Sequence, residues 1–186
     1  MSPSLIIVGI LVVIVAYIVL VYNGLIQARN RVQEAFSDIG VQQKRRHDLI
    51  PNLIETVKGY AAHEQGTLDK VVQARNAAMS ASGSGDLQKM QQAENALSST
   101  LRSLFALAES YPDLKANQNF LHLQQELVDA EDKIQAARRF HNAVVQQFNT
   151  KVQQFPSNLI ANAFGFKEEE FFAVEDEATA VPKVKF

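Results

Sequence analysis

The sequence predicts an all-α chain: a single N-terminal transmembrane helix followed by an antiparallel, up-down four-helix bundle with long helices. Three observations carry that expectation. No charged side chain precedes Arg29, and Leu5 to Tyr22 is an uncharged run of 18 residues dominated by Ile, Val and Leu. From Asn23 to Phe155 apolar residues recur at steps of three and four, with no clean alternation that would mark a strand. Only 5 prolines and 8 glycines are present, too few to break the chain often.

The apolar run comes first. At 1.5 Å per residue it covers about 27 Å, against the ~30 Å of a bilayer's hydrocarbon core. Residues 1–4 form a short N-terminal tail, and Leu5, Ile10 and Ile14 are expected among the membrane-spanning residues of 5–22. Tyr17 and Tyr22 suit the inner rim, where aromatic rings sit at headgroup level. A cleaved signal peptide would want a positively charged start and a small-residue cleavage site. Neither Met1-Ser2-Pro3-Ser4 nor Tyr22-Asn23-Gly24-Leu25 supplies them. A soluble core helix would not read Ile, Val and Leu on every face. Lys and Arg fall only on the C-terminal side, so the positive-inside rule places the tail outside and the large domain in the cytoplasm.

Residues 23–156 are expected to form the bundle, with helices at about 24–47, 49–80, 86–110 and 115–155. The first carries the stripe Leu25, Ala28, Val32, Ala35 and Ile39. Nothing breaks the chain between Tyr22 and Leu25, so the anchor can run straight into this helix. Arg45-Arg46-His47 would complement a helix C-terminus, and Asp48 could cap the next helix with Pro51 in its first turn. That reading gives a hairpin, which we expect; the alternative is one long helix kinked at Pro51. The second stripe is Ile50, Leu53, Val57, Tyr60, Val71, Ala74 and Ala78. Ser80-Ala-Ser-Gly-Ser-Gly85 is a flexible loop, and Asp86 is a good N-cap for the third stripe, Met90, Ala93, Leu97, Leu101, Leu104 and Ala108.

Tyr111-Pro112-Asp113 precedes the longest seam: Phe120, Leu123, Leu127, Ala130, Ile134, Ala137, His141, Val144, Phe148, Lys151 and Phe155. This pattern resembles a coiled coil over five heptads. Lys151 is avoided by a local step through Val152, a stutter that straightens the supercoil. Residues 157–186 then form a Phe-rich, acidic C-terminal segment. Ser157 can cap a short turn, and Val181-Pro182-Lys183-Val184-Lys185-Phe186 alternates apolar and basic residues.

Three stretches resemble the LemA family of bacterial membrane proteins: RNRVQEAFSDIGVQQKRRHDLIPNLIETVKGYAAHE (Arg29 to Glu64), YPDLKANQNFLHLQQELVDAEDKI (Tyr111 to Ile134) and ARRFHNAVVQQFNTKVQQFPSNLIANAFGFKEEEFF (Ala137 to Phe172). Gly40, where an acidic residue is common, and His141, preceded by Phe where the pair often holds Tyr, are small departures. The resemblance implies an anchored antiparallel helical bundle in the bacterial cytoplasmic (inner) membrane. It implies no enzyme activity and no catalytic residues; some members are associated with membrane metalloproteases or membrane remodelling.

Candidate sites are sparse. With 0 cysteines there is no thiolate chemistry, and the net charge of −2 gives no field for nucleic acid. His63-Glu64 opens like a zincin motif, yet the second His would have to stand at Thr67. No metal site or cofactor is expected, and scattered His47, His122 and His141 are read as surface or packed residues. His141 sits in the seam, where it is a core imidazole or a buried pH switch. Lys44, Arg45 and Arg46 are candidate lipid or partner contacts. A helix standing upright would, however, carry them roughly 30 Å from the bilayer, beyond a Debye length. Phe164, Phe166, Phe171 and Phe172 are expected to pack back along the bundle. Phe171, Phe172, Val184 and Phe186 are the docking alternative, with residues 181–186 added to a partner's sheet edge.

The expected function is that of a non-enzymatic, membrane-tethered scaffold. Its partners are the lipid bilayer and either further copies of itself or a membrane protein such as a metalloprotease. An adaptor of such a protease, a metal-binding protein and a pore subunit are the competing readings.

Overall fold

The computed structural model describes residues 2–61 and 63–173, and every regular element among them is helical. The order is α1 (Pro3–Lys58), α2 (Gln65–Ser82), α3 (Leu87–Ala108), α4 (Pro112–Lys115), α5 (Gln118–Gln153) and α6 (Ser157–Ala163). At 56 residues, α1 is about 84 Å long. Its first part carries one segment long and apolar enough to cross a membrane, none of it buried by the rest of the chain. Leu5, Ile10, Ile14 and Tyr17 all point outward there. A bare apolar rod of this length needs a non-aqueous surround.

The hairpin expected at Arg45 to Asp48 does not form. The helices placed at 24–47 and 49–80 are instead one helix through Lys58, a break at residues 59–64, and the separate α2. Pro51 lies inside α1, where it has no N–H for the His47 carbonyl. Arg75, on α2, fills that gap: its Nε donates to the His47 carbonyl oxygen at 2.7 Å. The freed backbone acceptor is satisfied from outside, so the helix continues.

Past the span, the stripe Leu25, Ala28, Val32, Ala35 and Ile39 is buried as its spacing predicts. Leu25, Ala28, Val32 and Ala35 share a core with Val144, Val145, Phe148, Val152, Ile160, Ala161 and Phe166. A second core lies farther from the span, around Ile50, Leu53, Val57, Val71, Leu97, Leu104, Leu114, Phe120 and Leu127. Ile39, Met90 and Phe172 form a small cluster of their own. Partners advance along α1 as they recede along α5. Phe36 meets His141, Arg45 meets Asp129 and Glu126, and Tyr60 meets Asn117.

Local signals behave as their chemistry dictates. The Asp86 carboxylate accepts from the Lys89 N–H at 3.0 Å, capping α3, and Gly85 before it takes φ +72°. Asn117 caps α5 through the Phe120 N–H. Near the end of α5, Lys151 is exposed and Val152 buried, which is the expected step across the stutter. Ser157 is not the N-cap of α6. It is the first helical residue, and its hydroxyl donates back to the Lys151 and Gln154 carbonyls.

Candidate functional site

The chain turns back after α6 at Gly165, whose φ of +73° suits a residue without Cβ. The segment from Phe166 to Ala173 then lies against α5 as a strap. Side-chain amides hold it. Asn149 donates to the Glu169 carbonyl and accepts from the Glu169 N–H, both at 2.9 Å. Asn142 does the same for Phe172 at 2.9 Å. Gln91, on α3, grips Ala173 with bonds of 2.7 and 3.1 Å. The spacing explains the fit: seven helical residues rise about 10.5 Å, and three extended residues span about 10 Å.

The strap divides the aromatic residues into two kinds. Phe166 and Phe172 are buried, whereas Phe164 and Phe171 are about half exposed. Phe172 therefore cannot be the docking contact proposed for it; its ring stacks on Phe36 at 6.4 Å and meets His141 edge-on at 5.1 Å. The Arg138 guanidinium lies 5.6 Å from the same ring centroid. Val184 and Phe186 lie outside the described residues.

Alongside the strap runs an open groove of about 750 Å³. Val32, Phe36 and Met90 give it apolar walls, and Asp86, Glu168, Glu169 and Glu170 give it an acidic rim. Lys89 is paired with Asp86 at 3.0 Å. Among the described residues no salt bridge engages the three glutamates. Phe36 is 40% exposed, an unusual state for a ring beside a core and available for contact.

His141 also lines this groove. It is buried, and burial pushes its pKa below the usual imidazole value, against the opposing pull of Asn142 and the Glu169 charge. Its Nδ1 has no hydrogen-bond partner in the structure. Burial thus disfavours the charged form of the ring.

The basic cluster at 44–46 has a different fate from the one its charge suggested. Arg46 is fully buried and bonded to Glu94, Glu131 and Ser98, so it reaches neither lipid nor a partner. Arg45 bridges to Glu126 at 2.5 Å and Asp129 at 3.0 Å on α5. Only Lys44 stays in solvent, paired with Asp48 one turn on. Because α1 is unbroken, Lys44 lies about 33 Å along the helix from Tyr22, which with α1 upright in a bilayer would put it beyond a Debye length from the headgroups.

Beside Arg46, His47 Nε2 stands 3.0 Å from Glu94 Oε1. Burial alone would raise the Glu94 carboxyl, but the His47 hydrogen bond and the Arg46 and His47 charges outweigh it and hold the pKa below the usual value. A buried carboxylate is tolerated here because the Arg46 guanidinium is bonded to it. The sequence reading missed this node. Its signal was present, since Ile39, Gln43, Arg46, Ile50, Leu53 and Val57 continue the α1 seam in steps of three and four. Among the described residues, no group of three or more His, Cys, Asp or Glu side chains could hold a metal ion. His63 and His122 take part in no such group.

The LemA family model matches residues 35–186. Protein LemA of Metamycoplasma hominis is 31% identical over 141 residues, covering 75% of this chain and 63% of that protein. Magnetosome protein MamQ 2 of Paramagnetospirillum magneticum is 25% identical over 184 residues, covering 87% of this chain and 68% of that protein. Magnetosome protein MamQ of Magnetospirillum gryphiswaldense is 25% identical over 185 residues, again with 87% and 68% covered. The chain thus spans about two thirds of the length of the curated relatives it matches. It is a membrane-associated helical protein, and it belongs to the LemA family.

Proposed function

We propose that the protein is a non-enzymatic scaffold of the bacterial cytoplasmic membrane, which assembles with further copies of itself at the membrane surface. In this reading α1 spans the bilayer once, with residues 1–4 outside and the helical body in the cytoplasm. The body is an up-down, antiparallel bundle of four principal helices: the later part of α1, α2, α3 and α5. The acidic groove receives the basic and apolar segment 181–186 of a neighbouring copy, with Lys183 and Lys185 against Glu168–Glu170 and the apolar residues over Phe36 and Met90.

The observation that carries the reading is the continuity of α1 from the span to the groove wall. Val32 and Ser37 lie ten and fifteen residues past Tyr22, so the groove is held about 15–22 Å from the end of the span. Charge complementarity supports the occupant, because the rim is acidic and the segment Val181-Pro182-Lys183-Val184-Lys185-Phe186 alternates apolar and basic residues.

A photo-crosslinking residue in place of Phe36, in the full chain in membranes, tests it. The expected product is a homodimer adduct that is lost in a Lys183→Glu/Lys185→Glu variant. Adding Glu168→Lys/Glu170→Lys to that variant should restore it. An adduct indifferent to both reversals refutes the assembly. An adduct to a different membrane protein, such as a metalloprotease, replaces it with the adaptor reading.

A further inference from the structure

The α5–α6 turn carries a surface that the groove and the strap do not use. Phe155 is 77% exposed, Leu159 61% and Phe164 56%. Three large apolar side chains on ten residues of chain would be costly to leave in water. They are also close along the chain: Phe155 stands in the turn before α6, Leu159 in its first turn and Phe164 at its C-cap.

Where this turn sits follows from its contacts. The Phe164 ring meets Tyr22 at 4.9 Å, and Phe166 meets it at 5.8 Å. Ile18 and Val21 pack against the same core as Ile160, Ala161 and Phe166. Ile18 belongs to the uncharged run and lies four residues, about 6 Å, inside its end. An element that covers Ile18 must stand at the depth of the last turn of the span.

Charge gives an independent reading of the same end. Residues 1–33 and 133–167 contain no Asp or Glu at all. The cations in this zone include Arg29, Arg31, Lys151 and Lys167. Arg29 lies 5.4 Å from the Phe166 ring centroid, which places that guanidinium beside the strap's first residue. Acidic residues begin again only at Glu34 and Glu168. An apolar patch carried on stretches of sequence that hold cations and lack carboxylates has the composition that anionic lipid surfaces attract.

We infer that Phe155, Leu159 and Phe164 form a second membrane contact, a foot that inserts into the interfacial layer of the bilayer beside the α1 span. The occupant of this surface is lipid, because the patch is continuous with the span itself. Lys151 and Lys167 then face anionic headgroups.

The absence of tryptophan from the chain makes the test direct. Leu159→Trp in the full chain, reconstituted in phosphatidylcholine–phosphatidylglycerol vesicles, supplies a single indole at an exposed position. Lipids brominated at shallow or deep acyl positions then read its depth. The expected result is blue-shifted emission and quenching several-fold stronger than for Leu121→Trp, at the far end of α5, with shallow bromines the more effective. Phe155→Trp should repeat the pattern, so the outcome does not hang on one substitution. Quenching no stronger than that of the Leu121→Trp control overturns the inference. A blue shift without quenching also overturns it, because it would assign the patch to a protein contact.

Discussion

Removing Arg75 should cost stability only as long as residue 51 is proline. In the native chain the His47 carbonyl has lost its helical donor at Pro51 and accepts from Arg75 Nε instead. Arg75→Met keeps the apolar stem and deletes the donor, leaving a carbonyl unsatisfied in a partly buried site. A hydrogen bond from a charged group contributes about 1.5–3 kcal/mol, so that is the expected loss. Pro51 is exposed, so Pro51→Ala disturbs no packing and returns an N–H directed at the His47 carbonyl. In that background Arg75→Met should cost under ~0.5 kcal/mol, giving a coupling energy of about 1–2.5 kcal/mol. Urea denaturation of the four variants in mild detergent, followed by far-UV ellipticity, measures it. With a urea slope of roughly 2 kcal/mol per molar, the midpoint of Arg75→Met should fall by about 1 M. Additive effects of the two substitutions would refute this account of why α1 passes through its proline.

The buried ion-pair node, the strap and His141 lead to four further expectations. Glu94→Gln removes the carboxylate facing Arg46 and His47 and should destabilise by about 3–5 kcal/mol, while Arg46→Met with Glu94→Leu should recover much of that loss in the same denaturation assay. Asn142→Ala with Asn149→Ala deletes four hydrogen bonds to the strap. Amide hydrogen exchange at Glu169 and Phe172 should then speed up by at least ten-fold, while the core of α5 stays protected. His141 titrates lower in the fold than in the unfolded chain, so the unfolded state takes up its proton first. Stability should be level above about pH 6.5 and fall as the pH drops below it, and His141→Phe should flatten that slope. Glu169, Asp86 and Arg138 face the same region, so their charges are kept unchanged in that comparison. Glu94 works at lower pH: its contribution is present above about pH 4.3 and is lost as the pH falls through its depressed folded value.

Much of the helical framework is written in local spacing. The stripes Leu25 to Ile39, Met90 to Ala108 and Phe120 to Val152 become buried because period and geometry coincide, with no need for distant information, whereas Phe155, the last residue of the expected seam, lies past the end of α5 and is exposed. Asp86 and Asn117 cap their helices through bonds three residues away, which is also local. What sequence reading missed depends on partners far along the chain. Pro51 is tolerated because of Arg75, 24 residues later, and without that donor a hairpin was the sounder expectation. Arg46 reads as a surface cation until Glu94 and Glu131 are brought to it from 48 and 85 residues away. Phe171 and Phe172 are identical neighbours in sequence, and the Asn142 amide, 30 residues away, grips the backbone of the one that faces the core. The acidic groove needs the α2–α3 turn beside the strap, a juxtaposition no single segment encodes.

The unbroken course of α1 has a mechanical consequence. About 54 Å of the rod stands beyond Tyr22, so a change of 10° in the tilt of its apolar segment would carry the distal tip through an arc of about 9 Å. Helices tilt to match their apolar length to the hydrocarbon thickness they occupy. In a thinner bilayer the tip would lean and sweep sideways, and in a thicker one it would straighten. With α1 crossing a bilayer as proposed, the reach of the helical body would thereby be geared to the thickness of the lipid beneath it.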